Sequence, residues 1–146
     1  MEQGSQGEVV GRYAFRHALY AEVIYQRLFP SEIVRLHLLI GESLEKLYGE
    51  NDLNYAAELA LHFEKGWDWT RAIRYLMPAA ANASHRFANR QTNDYLLRAL
   101  SMVERLPKER QMETHTNLLK QSTAIKQRSS DTAGIKANLE NMPTNA

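Results

Sequence analysis

From Arg16 to Leu106 the apolar residues recur at intervals of three and four, the spacing of one face of an α-helix. Leu19, Val23, Ile24 and Leu28 mark a first helix from Arg16 to Leu28, which Phe29-Pro30 ends. Ser31 is the expected N-cap of a second, with Ile33, Leu36, His37, Ile40, Leu44 and Leu47 on one face and Gly49 as its stop. Asn51 or Asp52 is expected to cap a third, running to about Lys65 with Leu53, Ala56, Ala57, Ala60 and Phe63 inward. The small residues on that face admit a close helix neighbour. Asp68 is a good cap for a fourth, whose stripe is Trp69, Ala72, Ile73, Leu76, Ala80, Ala83 and Phe87. Pro78 lies inside that stripe and predicts a kink near Met77, because it lacks the N–H that would bond the carbonyl of Arg74. Asn89 or Asn93 opens a fifth helix carrying Thr92, Tyr95, Leu96, Ala99, Val103 and Leu106, and Pro107 stops it. A sixth, from Lys108 to about Lys126, has the thinner stripe Met112, His115, Leu119 and Ser122.

The ends read differently. Residues 1–8 are polar and Gly-rich, hence expected to be disordered, and residues 128–146 are rich in Ser, Thr, Asn and Asp and read as a frayed or truncated tail. Val9, Val10, Tyr13 and Phe15 form a short strand-prone piece with no second strand to pair with. It either packs irregularly on the helices or has partners in sequence that precedes this chain. Short connections force each helix antiparallel to the one before. The fold class that follows is all-α: an antiparallel α-hairpin stack, irregular and tetratricopeptide-like, with a short N-terminal strand-like segment.

Composition narrows the function classes. The 146 residues, 44% hydrophobic and 24% charged, suffice for one sizeable core. With 18 basic against 17 acidic residues the formal charge is +1, which argues against direct nucleic-acid binding and against an anionic membrane as partner. There is no cysteine, so disulfides and thiolate chemistry are excluded. The polar N-terminus is not a signal peptide, and no apolar run approaches the roughly 20 residues of a membrane helix. The expected location is cytoplasmic.

Candidate chemistry is sparse. None of the five histidines forms the His and Glu pattern of a helical zinc site, and His37 and His62, on or beside apolar stripes, read as core or interface side chains. Gly41-Glu42-Ser43 lacks the second glycine of a nucleophile elbow, and Gly4-Ser5-Gln6-Gly7 lacks the lysine of a phosphate-binding loop. No catalytic residue, metal site or cofactor site is expected, and the chain is expected not to be an enzyme. Trp69 reads as a core anchor and Trp67 as a turn cover or a binding hot spot. Arg86, Arg90 and Arg98 with Tyr95 either line a partner-binding groove or form a solvated face. The first two helices resemble a helix-turn-helix, but the second mixes Arg35 and Lys46 with Glu42 and Glu45 instead of being basic. His17 stands where strand-like sequence meets a helix, a position suited to an anion such as phosphate or to an ordinary histidine bonded to a carbonyl.

Two resemblances add to this reading. Trp69, Ala72, Leu76 and Ala79 are similar to the second helix of a tetratricopeptide repeat. A second copy lies over Thr92, Leu96, Ala99 and Leu100, but Thr92 follows Ala72 by 20 residues, against a regular period of about 34. Taken together, Tyr13-Ala14-Phe15-Arg16-His17-Ala18-Leu19, Tyr25-Gln26-Arg27-Leu28-Phe29-Pro30, Leu36-His37, Glu42-Ser43-Leu44-Glu45, residues 56–63 and Trp69-Thr70-Arg71-Ala72 look like the region behind the nucleotide-binding module of bacterial signalling ATPases. These STAND-type ATPases include cyclase or kinase fusions and MalT-like and other LuxR-type transcriptional regulators. The resemblance covers roughly residues 9–107. It implies that residues 9–49 are the end of a winged-helix piece with linking helices, and residues 50–127 tetratricopeptide-like repeats that sense a protein partner or inducer. ATP or ADP would sit in an adjoining module. The class often carries Met-His-Asp at the strand-to-helix junction, with the histidine on the ADP β-phosphate. The matching residues are Arg16, His17 and Ala18, so His17, with Arg16 beside it, is the nucleotide-sensing candidate and the acid is missing. The alternative is a free-standing adaptor that binds a peptide or protein in a helical groove.

Overall fold

A computed structural model describes residues 18–49 and 51–140, the side chain of Leu139 excepted. The strand-like segment Val9 to Phe15, the candidates Arg16 and His17, and residues 141–146 lie outside the described residues. Among the described residues six helices follow one another: α1 (residues 18–27), α2 (Pro30–Tyr48), α3 (Ala56–Lys65), α4 (Trp69–His85), α5 (Asn89–Val103) and α6 (Lys108–Glu140). The fold is all-α, with no strand among the described residues. No described helix is long and apolar enough to cross a membrane.

Local chemistry sets the boundaries. α2 starts one residue before the expected cap Ser31, with Pro30 in its first turn, where the missing N–H costs nothing, and the Glu32 carboxylate accepts from the Phe29 N–H at 2.8 Å. α3 begins at Ala56, later than expected, because the Asp52 carboxylate accepts from the Asn54 N–H at 3.0 Å and holds a turn instead of capping a helix. Asp68 does cap α4, accepting from the Arg71 N–H at 3.0 Å. α4 runs through Pro78 as one helix.

α4 is the central element, packed against α3, α5 and α6, while α2 packs on α3. That position buries Tyr75, Met77 and Ala79 in addition to Ala72, Ile73, Leu76, Ala80 and Ala83 of the expected stripe, while Trp69 is half-buried and Phe87, beyond the helix end, is exposed; the alanines let three neighbours approach. Leu59, Phe63, Tyr75 and Leu76 are fully buried, and the rings of Phe63 and Tyr75 stack with centroids 5.7 Å apart. Each such side chain contributes about 1.5–3 kcal/mol by burial.

α6 departs most from expectation. Its inward positions are Gln111, Thr114, Leu118, Ser122 and Ile125, not the stripe through Met112, His115 and Leu119; Met112 is 82% exposed. Leu118 and Leu119 are adjacent, so either fits a helical period, and the contact of Ile125 with the core selects the phase containing Leu118. Residues 128–140, expected to be frayed, continue the helix.

Candidate functional site

The turns at the two ends of α4 share one geometry. After α3, the Asp68 N–H bonds the Phe63 carbonyl at 2.9 Å and the Trp67 N–H bonds that of Glu64 at 3.1 Å. After α4, the Ala88 N–H bonds the Ala83 carbonyl at 2.9 Å and the Phe87 N–H bonds that of Ser84 at 3.0 Å. These are paired Schellman closures, each requiring a left-handed residue just beyond the helix, normally glycine. Here Trp67 and Phe87 fill the place, both with φ of 58°. A left-handed backbone costs an L-residue about 1–2 kcal/mol. The side chains recover little of this by burial, since Trp67 is 64% exposed and Phe87 48%. Gly66 beside Trp67 serves a different end: a Cβ there would meet Leu38 at 2.8 Å.

The partner-binding candidates are distributed over this frame. Trp67 and Arg86 lie at opposite ends of α4, about 25 Å apart along a helix of that length. Arg98 is half-buried and ion-paired with Glu64 of α3 and, at 3.6 Å, with Asp94; its guanidinium faces the Tyr95 ring at 5.8 Å, and the Tyr95 hydroxyl accepts from Gln91 at 3.0 Å. Arg98 therefore ties α3 to α5, with Tyr95 beside it on α5. Arg86 and Arg90 are exposed beside Phe87, and no ion pair holds them among the described residues. Between Phe87 and α6 lies a cleft of about 260 Å³ lined by Ala81, His85, Phe87, Ile125, Arg128 and Asp131 among others. The Lys136 ammonium lies 5.7 Å from the Phe87 ring centroid.

Two polar clusters bind the other helices together. Arg71 bonds Asp68 at 2.6 Å, Glu42 at 3.1 Å and Glu45 at 3.3 Å, and lies 4.2 Å over the Phe63 ring; the Tyr75 hydroxyl donates to Glu45. Those carboxylates hold the Arg71 guanidinium protonated, raising its pKa against the opposing effect of burial. The second cluster is a histidine pair. His37 of α2, 7% exposed, has its Nδ1 2.9 Å from Nδ1 of His62 on α3, and its Nε2 3.3 Å from the Tyr25 hydroxyl of α1. One of the facing nitrogens must donate and the other accept, so the pair tolerates at most one added proton; a second would set two N–H groups against each other. Burial is the first cause lowering both pKa values, followed for His37 by His62 and Lys65, while for His62 the Glu58 carboxylate opposes the lowering and Lys65 adds to it. His37 and His62 were legible as interface side chains, but not as each other's partner: 25 residues separate them, and only the α2–α3 packing brings them together.

The described residues contain no group of three or more His, Cys, Asp or Glu able to hold a metal ion. Compared with protein-family models, with curated proteins and with solved structures, the chain matches none.

Proposed function

We propose that this chain is a non-catalytic helical-repeat module for protein–protein interaction or signal sensing, working beside a nucleotide-binding module in an ATPase-type signalling or transcriptional regulator. One observation carries the interaction reading: every described residue of α1 is exposed, including Leu19, Tyr20, Val23 and Ile24, and Phe29, Leu36 and Leu39 continue the exposed apolar surface along the linker and α2. A helix without a packed apolar face is marginal in water, and an apolar surface of this kind marks an interaction site. The recurrence of one turn geometry at Trp67 and Phe87, 20 residues apart, supports a repeat-like array. The adjoining ATPase module, with ATP or ADP bound to it, comes from the family resemblance.

The test places a photo-crosslinking side chain at Val23 and, as control, at Gln121, exposed on α6. The reading expects a discrete protein adduct at Val23 alone. Equal or absent adducts at both positions count against it, as does ATP turnover by the isolated chain. Where a phosphate-binding-loop module adjoins the chain, it should be the adduct, and His17→Ala in the joined protein should weaken ADP retention. An adduct to an unrelated protein would favour the free-standing adaptor.

A further inference from the structure

The Phe87 end of the molecule carries a local imbalance of charge that the whole chain does not. Arg86 and Arg90 flank Phe87, Arg128 lines the cleft beneath it, and Lys136 faces its ring, while the nearby carboxylates are Asp94 and Asp131. Four permanent cations thus meet two acids, in a chain whose formal charge is only +1. No ion pair takes up Arg86, Arg90 or Arg128 among the described residues, unlike Arg71 and Arg98. The first turn of α5, which opens here, contains no acidic residue and no side-chain cap. The floor is apolar, made by Ala81, Ile125 and the half-exposed ring of Phe87. That ring is held out by a left-handed backbone where glycine would be at ease, so a residue that costs stability occupies the centre of the basic rim.

We infer that the cleft between the α4–α5 turn and α6 binds an acidic protein segment, seating one of its apolar side chains against Phe87 and its carboxylates on Arg128 within the cleft and on Arg90 across the ring. Apolar anchor and charged rim are the usual division of labour in a protein interface. A nucleic-acid backbone fits less well: it offers no aliphatic anchor for the floor, and a chain of formal charge +1 gives little overall attraction to a polyanion. The inference rests on the interaction-module reading but concerns a different face from α1.

The experiment is fluorescence anisotropy of the full chain with a labelled peptide carrying one leucine among glutamates. Controls are the same peptide with glutamine for glutamate, the same with serine for leucine, and a single-stranded DNA of matched charge. The glutamate peptide should bind, and each peptide control should weaken binding. Phe87→Gly and, separately, Arg90→Glu with Arg128→Glu should each weaken it roughly tenfold. Phe87→Gly suits the backbone at φ 58°, so its urea midpoint should be no lower than that of Phe87→Ala, which separates lost binding from lost folding. Binding unchanged by Phe87→Gly, glutamine and glutamate peptides of equal affinity, or DNA that binds more tightly than the peptide would each overturn the proposal. Crosslinking at Val23 reports on the module reading independently, so the two failures are distinguishable.

Discussion

Acidification should destabilise this protein through the His37–His62 pair, and the sign follows from linkage. Both imidazoles have pKa values below the ordinary 6.5 in the folded chain, so the unfolded chain binds more protons wherever they differ. Stability is therefore full above about pH 6.5, is lost as pH falls below it, and levels off below the folded pKa. The ceiling, one unit below the unfolded value, is about 1.4 kcal/mol per histidine. The Tyr25 side of the cluster and His62 are partly exposed, and solvent screening reduces that ceiling to about 1 kcal/mol for the pair together. The groups facing the pair are Tyr25 from α1 and Glu58 and Lys65 from α3. The assay is urea unfolding at about pH 7.5 and about pH 5.5 for the native chain and for His37→Gln with His62→Gln. Gln keeps hydrogen-bonding capacity and cannot titrate, and every other ionisable group cancels in the difference between the two proteins. The native chain should lose about 1 kcal/mol more than the variant on acidification. An equal loss in both proteins, or a gain in the native chain, would refute the argument.

Three further outcomes are expected. Trp67→Gly should be more stable than Trp67→Ala by about 0.5–1 kcal/mol in urea unfolding, because relief of the left-handed backbone exceeds the chain entropy of glycine; alanine equal to or above glycine would contradict the strain at φ 58°. Arg71→Met should cost about 1–2 kcal/mol, allowing for the 25% exposure of that side chain and the loss of its charged hydrogen bonds; Arg71→Lys should recover less than half of this, since an ammonium cannot span Asp68, Glu42 and Glu45 as the planar guanidinium does. Gly66→Ala should lower the thermal midpoint, at a cost of about 1–3 kcal/mol, because its Cβ would lie 2.8 Å from Leu38 and 3.1 Å from the His62 carbonyl; an unchanged midpoint would mean that Leu38 yields freely.

How much was legible in the sequence depended on the range of the interaction involved. The order of helices α2 to α5, the Asp68 cap and the alanine-rich face of α4 are local, set by residues three or four apart and by one side chain bonding a nearby N–H. The all-α class follows from those alone. Boundaries slipped where two local options competed, as at Asp52, whose carboxylate closes a turn instead of a helix. The phase of α6 could not be read from adjacent Leu118 and Leu119, because only packing on α4 and α5 distinguishes them.

The candidate site divides in the same way. Arg86, Arg90, Arg98 and Tyr95 look alike as charged and aromatic residues on one stretch, yet Arg98 is bound to Glu64, 34 residues away, while Arg86 is exposed and Arg90 lies beside Phe87. Sequence by itself determined that these residues exist on helices joined by tight turns, because helix periodicity and capping are short-range. Tertiary structure alone decided which cations are paired and which histidines meet. Those outcomes depend on contacts between segments far apart in the chain, whose energies no local pattern encodes.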